Sequence, residues 1–287
     1  MANDKPTVSI CIPTFNGGAL LEHTINSVLA QTNPDWELIV SDDHSTDGSY
    51  QRIKTIYEND SRFTFTINPQ SAGAANNWNN CVKHAQGKYL KLLCQDDLIN
   101  EDCLDISVRA MEKNPNVVLV TGPRAIIDQD GRTIIGSRGN QGLEKLVSGY
   151  DAVRMLTKKG TNIICEPSIV LYRTEAFTKT LGFDASWSYL IDVASYVEVL
   201  KHGDLYCVES VLGSFRISNL SWSSRLLSSQ SKEFRRFVKE IAHEPNFEFG
   251  KLLILRSFTA ITVNAVLRRM IFMFVRIKST RQKVFAS

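Results

Sequence analysis

Val8-Ser9-Ile10-Cys11-Ile12-Pro13-Thr14-Phe15-Asn16-Gly17-Gly18 is a strand-length apolar run that stops at a proline and empties into a polar, glycine-containing loop. The pattern returns at Trp36-Glu37-Leu38-Ile39-Val40-Ser41-Asp42-Asp43-His44-Ser45-Thr46-Asp47-Gly48, and again at Gly87-Lys88-Tyr89-Leu90-Lys91-Leu92-Leu93-Cys94-Gln95-Asp96-Asp97. Amphipathic segments lie between these runs. Strands are expected at Val8–Ile12, Glu37–Ser41, Phe63–Ile67, Tyr89–Leu93 and Val117–Val120. Helices are expected at Ala19–Gln31, Gly48–Tyr57, Ala74–Gln86 and Glu101–Lys113, with Asp47 and Asn100 as N-caps and Gly87 as a helix stop. Strands alternating with helices predict an α/β fold wound on a mainly parallel sheet.

Further along, Ile126–Ile135 reads as a hairpin turning at Asp130-Gly131, and Ser137–Gly142 as a loop. Strand-like runs at Ser168–Tyr172, Leu205–Val208 and Leu212–Ile217 flank a helix near Leu190–Lys201. No internal repeat or low-complexity linker interrupts them. One domain over residues 1–217 is therefore expected, followed by a helical extension over 218–287.

With 287 residues, 43% of them hydrophobic and 22% charged, the chain can bury a substantial core, which excludes disorder and a disulfide-stapled miniprotein. Six scattered cysteines without a Cys-x-x-Cys pair, and no basic stretch leading into a long apolar run at the N-terminus, predict a reducing, cytoplasmic setting. The net charge of +3 hides an asymmetry: residues 251–287 hold eight Lys/Arg and no Asp/Glu, leaving −5 before them. Leu252, Leu255, Val263, Val266, Met270, Phe274 and Ile277 share a helical face there, interrupted by arginines, and no charge-free stretch is long enough to span a bilayer. Two readings stand: a basic amphipathic helix peripheral on an anionic membrane, or a terminal helix packed on its own core. Phe272-Met273-Phe274 argues against a nucleic-acid partner.

Ligands of open α/β sheets bind beyond the carboxyl ends of the strands, where this chain is most polar. Adjacent carboxylates there repel unless donors or a cation lie between them, and hard oxygen ligands suit Mg2+ or Mn2+ alongside substrate phosphates. Asp42-Asp43 reads equally as a turn ahead of Asp47-Gly48. The P-loop, dinucleotide-binding, Gly-x-Ser-x-Gly and His-Glu-x-x-His patterns are all absent.

The three quoted runs, with Ser27-Val28-Leu29-Ala30-Gln31-Thr32, closely resemble the opening of family 2 glycosyltransferases of the GT-A fold over residues 7–120. A looser resemblance extends from 166 to 224. It implies an inverting, metal-dependent transferase that moves a sugar from a nucleotide-diphosphate sugar to a hydroxyl of a glycan or lipid-linked acceptor, in surface polysaccharide biosynthesis. Pro13, Thr14 and Asn16 would line the nucleotide pocket, with Asp43 at the base and Asp42 supporting it. By the same resemblance, Asp96 would face the ribose or sugar and Asp97 would ligate Mn2+ or Mg2+. Gln95 stands where the family commonly has aspartate.

The family's catalytic aspartate opens a helix, and Ile191-Asp192-Val193 aligns with it, implying Asp192 as the base; the alternative is that Asp192 only caps the helix. Phe215-Arg216-Ile217-Ser218-Asn219-Leu220-Ser221-Trp222-Ser223 resembles the arginine loop at the diphosphate, with Ser218 where histidine is frequent. Glu166, Trp187 and Tyr189 are candidates for sugar or acceptor contacts. Two rivals remain: a nucleotidyltransferase, and a scaffold that binds nucleotide sugar or membrane without turnover.

Overall fold

The computed structural model describes residues 5–69, 73–140, 142–217 and 229–284; beyond residue 267 only the backbone course of the last helix is described. Residues Ser218–Ser223 of the arginine loop lie outside this set. Strands β1 (Val8–Thr14), β2 (Trp36–Asp42), β3 (Phe63–Ile67), β4 (Tyr89–Leu92) and β6 (Val117–Thr121) fall close to the ranges their apolar runs predict. Between them run α1 (Leu20–Leu29), α2 (Ser49–Tyr57), α3 (Ala74–Val82) and α4 (Cys103–Lys113), with the short β5 (Leu98–Ile99) after β4. The second half adds β7 (Arg124–Ile127), β8 (Thr133–Arg138), β9 (Leu146–Val147), α5 (Gly149–Lys159), β10 (Leu171–Arg173) and α6 (Thr174–Phe177). It ends with α7 (Ile191–Leu200), β11 (Asp204–Cys207), β12 (Gly213–Arg216), α8 (Gln230–Ile241) and α9 (Lys251–Val284).

The main sheet has the order β3-β2-β1-β4-β10-β6-β11-β9. Its first four strands are parallel, and β10 is antiparallel to both neighbours. The chain winds outward from β1 to β3 and returns on the other side of β1 to lay down β4, so the β1/β4 boundary is the switch point where a ligand crevice forms. A second sheet, β5-β12-β7-β8, sits beyond it. Alternation along the strands splits the core across the two faces of the sheet. Val8, Ile10 and Ile12 of β1 pack with Ile25 and Val28 of α1 and Leu104 of α4. Cys11, Leu90, Leu92 and Leu119 join the cluster holding Val153 of α5, Tyr196 of α7 and Phe234 of α8. Each fully buried Val, Leu or Ile contributes roughly 1.5–3 kcal/mol.

Several expectations are corrected. Asn100 is not the cap of α4; Gln31, just past α1, accepts the Leu104 amide at 3.0 Å, while Asn100 Nδ2 donates to the Val211 carbonyl at 2.7 Å. Gly87 is no helix stop, since α3 ends at Val82; it lets the chain pass against β1, where an added Cβ would meet the Ser9 nitrogen at 2.5 Å. Of the expected loop Ser137–Gly142, Ser137 and Arg138 are instead the end of β8, and Gly139 and Asn140 follow as irregular chain. The run at Ser168 opens as a 3-10 turn, Pro167–Ile169, before β10 begins at Leu171.

The terminal helix packs on the protein's own core along one face and leaves apolar side chains exposed on the other. Ser257 and Ile261 of α9 are fully buried, and Asn264 Nδ2 donates to the Lys159 carbonyl at 2.8 Å, so the helix is docked along α5. Leu252, Leu255, Val263, Val266 and Leu267 are 46–64% exposed and lie on the other side. Among the described residues no helix is long and apolar enough to cross a membrane.

Candidate active site

Backbone strain and side-chain bridges shape the loop after β1. Asn16 and His44 hold positive φ values of 50° and 65°, a region few side chains occupy outside constrained sites. The Asn16 amide donates to Ser45 Oγ at 2.8 Å and Asn16 Oδ1 accepts from the Thr46 amide at 2.8 Å, tying the β1 loop to the β2 loop. Asp42 is 3% exposed and accepts from the Ser45 amide at 2.8 Å and from its hydroxyl, so it builds the loop from within. Asp43 is buried beside it, with Oδ1 accepting from Asn68 Nδ2 at 2.8 Å. Pro13 and Thr14 form the buried end of β1.

Gln95 closes the other side. Its Oε1 accepts from Thr14 Oγ1 at 2.7 Å and from the Phe15 amide at 2.9 Å, while Nε2 donates to the Phe15 carbonyl at 3.0 Å. A carboxylate could not make that last bond. Phe15, which sequence reasoning passed over, is left 53% exposed at the mouth of this loop.

The two aspartates after β4 part company. Asp97 is 1% exposed; Oδ2 accepts from Ser168 Oγ at 2.6 Å and Oδ1 from the Arg216 amide at 2.9 Å. Asp96 is half-buried, and its carboxylate makes no ion pair or side-chain hydrogen bond to another described residue. Burial holds both carboxyls above the usual range, and the Asp96 charge adds to the rise at Asp97. Both Asp97 oxygens thus accept bonds inside the fold, while the Asp96 carboxylate has no such partner among the described residues and is the more open of the two. Among the described residues no cluster of three or more His, Cys, Asp or Glu forms a closed metal site. One free carboxylate in an acidic, desolvated setting does fit Mg2+ or Mn2+ shared with phosphate oxygens, which needs only one or two protein ligands.

Arg216 is held by backbone carbonyls. It is 3% exposed, with Nε donating to the Asp96 carbonyl at 2.8 Å and Nη1 to the carbonyls of Asp128 and Gln129 at 3.0 and 3.2 Å. Its guanidinium thus clamps the β4 loop to the β7–β8 turn. It stays close enough to Asp96 to oppose the rise in that carboxyl's pKa.

Asp192 sits in the first turn of α7, half-buried, where desolvation raises its pKa to about 7 and the Glu166 charge adds to the rise. Asn162 Nδ2 donates to Asp192 Oδ2 at 3.0 Å and to the Cys165 carbonyl at 2.8 Å, and Asn162 Oδ1 accepts from the Ile164 amide at 2.9 Å. No sequence pattern marks Asn162. Cys165, at φ 85°, turns the chain so that Glu166 and Ser168 follow directly, and the Glu166 charge is felt at both Asp97 and Asp192. Residues 162–168 therefore link Asp97, through Ser168, to Asp192, through Asn162.

The acceptor-side candidates divide. Glu166 is paired with Arg124 at 2.6 Å, both side chains largely buried. Trp187 is 5% exposed and packs edge-on against Phe237 at 5.4 Å, so it is a core residue and the expectation of a sugar contact is corrected. Tyr189 is partly buried against the same cluster.

The sequence profile described as glycosyl transferase family 2 matches residues 9–181. A curated relative, the UDP-Glc:alpha-D-GlcNAc-diphosphoundecaprenol beta-1,3-glucosyltransferase WfgD of Escherichia coli, is 28% identical over 235 residues, covering 81% of this chain and 84% of the relative. Among solved structures, S. aureus TarS in complex with UDP-GlcNAc superposes with a TM-score of 0.69 at 16% identity, over 89% of this chain and 71% of that one. The mannosyltransferase PcManGT of Pyrobaculum calidifontis, in complex with GDP-Man and Mn2+, gives 0.62 at 17% identity, over 93% and 75%. These two likenesses carry the GT-A fold.

Proposed function

Because the chain belongs to glycosyl transferase family 2, we propose that it is an inverting, metal-dependent transferase. It moves a sugar from a nucleotide-diphosphate sugar to a hydroxyl of a lipid-linked or growing glycan in surface polysaccharide assembly. One observation carries this reading: residues 162–168 reach both Asp192, a carboxyl poised near neutrality, through Asn162, and Asp97, the neighbour of Asp96, through Ser168.

In this reading Pro13, Thr14 and Asn16 form the wall of the nucleotide pocket, Asp43 meets the base, and Phe15 offers its exposed ring for stacking. Asp96 would hold Mn2+ or Mg2+, which when bound neutralises charge on the leaving diphosphate. Asp97, fixed by Ser168 and the Arg216 amide, orients that loop. Asp192, about half ionised near pH 7, takes the proton from the acceptor hydroxyl as its oxygen attacks the anomeric carbon. The bond from that carbon to the diphosphate oxygen breaks on the opposite face, so the anomeric configuration inverts.

A peripheral position at the cytoplasmic membrane face suits such an acceptor. The exposed apolar stripe of α9, on a segment rich in Lys/Arg, supports it. Two measurements test the proposal. Nucleotide sugars are titrated calorimetrically with and without Mn2+, and transfer to polyprenyl-diphosphate-linked sugars is followed by NMR of the new linkage. Mn2+-dependent binding of one donor and an inverted product are expected; folded protein that binds none of them would refute the reading.

A further inference from the structure

The loop that leads into α7 is gripped by a helix from beyond the matched family region. Glu233 of α8 aims its carboxylate at three successive amides, those of Ser188 at 2.6 Å, Tyr189 at 2.9 Å and Leu190 at 3.4 Å. One turn on, Arg236 donates to the Ser186 carbonyl at 3.2 Å and lies over the Trp187 ring at 4.2 Å. Phe237 packs edge-on against the same ring. Asp192 follows two residues after Leu190, and Leu190 accepts the Ala194 amide at 2.8 Å as α7 starts.

A carboxylate set on the amides at a helix start satisfies donors the helix cannot satisfy itself and complements the positive end of its dipole. Here that carboxylate comes from another helix, so it also fixes where α7 begins. Asn162 holds the Asp192 carboxylate from the opposite side. The titratable groups around Asp192 are Glu166, Tyr172 of β10, Tyr196 of α7 and Cys94 after β4.

We propose that Glu233 is the positioning residue for Asp192: through the amides of residues 188–190 it sets the first turn of α7, making α8 a working part of the catalytic unit. This rests on the reading of Asp192 as the base. A displacement of about 1 Å at such a group is enough to cost about a hundredfold in rate.

The test uses the full chain and three variants, Glu233→Ala, Glu233→Gln and Asp192→Asn. The Asp192 carboxyl is titrated by 13C NMR, its signal identified by its loss in Asp192→Asn, and transfer kinetics are measured alongside. Glu233→Ala should lower the Asp192 titration midpoint by roughly half a unit or more, because the loosened turn admits water. It should also cut kcat about tenfold or more while leaving donor KM unchanged. Glu233→Gln keeps a carbonyl oxygen for the amides and should restore both to near wild type. An unmoved midpoint and kcat in Glu233→Ala, with only a lower melting temperature, would overturn the proposal. Transfer at the wild-type rate by Asp192→Asn would instead overturn the base reading, a result the Glu233 variants do not produce.

Discussion

Replacing Asn162 by Ala removes the only side-chain donor to Asp192 among the described hydrogen bonds, a 3.0 Å bond from Nδ2 to Oδ2. That bond favours the ionised carboxylate and opposes the larger effect of burial, which holds the group at about 7. A hydrogen bond to a charged group is worth about 1.5–3 kcal/mol, and the low end applies because Asp192 is only half-buried. At about 1.4 kcal/mol per pKa unit, the midpoint should rise by about one unit, to near 8. At pH 7 the ionised fraction then falls from about one half to about one tenth, so turnover drops roughly fivefold and recovers in large part by pH 9. The assay is the pH dependence of kcat for nucleoside diphosphate release in the presence of acceptor. An acidic limb that stays in place, or that moves to lower pH, would refute this account of Asp192.

Asp192→Asn should raise the melting temperature above pH 7 but not at pH 4. A carboxyl whose folded pKa is raised from 3.8 to about 7 leaves stability intact below pH 3.8, and the cost of its ionisation grows as pH rises towards 7. Asp96→Asn should abolish Mn2+-dependent nucleotide binding with little loss of stability. Asp97→Ala should cost about 2–4 kcal/mol in denaturant unfolding, because the Ser168 hydroxyl and the Arg216 amide lose their acceptor. Lys91, fully buried on β4 with no hydrogen-bond partner at Nζ, has its pKa lowered by desolvation, and Lys91→Met should raise stability by about 1–3 kcal/mol. Removing residues 268–287 should leave the fold intact, since Ser257 and Ile261 carry the docking of α9, but should weaken binding to phosphatidylglycerol vesicles; unchanged sedimentation with them would remove the membrane proposal.

What the sequence disclosed and what it withheld divide along the range of the interactions. The strands at Val8, Trp36, Phe63, Tyr89 and Val117 were legible because each is a run of buried apolar residues closed by turn-forming polar ones. The carboxyl-end loops followed from winding, so Asp42, Asp43, Asp96 and Asp97 were identifiable as candidates, whereas Asp192, at a helix start, was named only by the family resemblance. Their division of labour was not. Which of Asp96 and Asp97 turns inward depends on Arg216, 119 residues further along, and on Ser168, whose run was predicted simply as strand. Arg216 has the chemistry of a phosphate ligand, but three backbone carbonyls hold its guanidinium. Trp187 could be read as a sugar platform until α8 was seen to cover it. Asn162 reaches Asp192, and Glu233 the amides just before it, only through tertiary contacts 30 and about 40 residues away in sequence, where no local pattern announces them.

The central claim is that Asp96 serves donor binding while Asp192 serves chemistry. The most direct test is calorimetric titration of the donor nucleotide sugar with Mn2+ into wild type, Asp96→Asn and Asp192→Asn, paired with single-turnover transfer by the same preparations. The account predicts that Asp192→Asn binds donor like wild type and transfers nothing measurable, whereas Asp96→Asn loses the Mn2+-dependent part of binding. Wild-type transfer by Asp192→Asn, or undiminished Mn2+-dependent binding by Asp96→Asn, would contradict it.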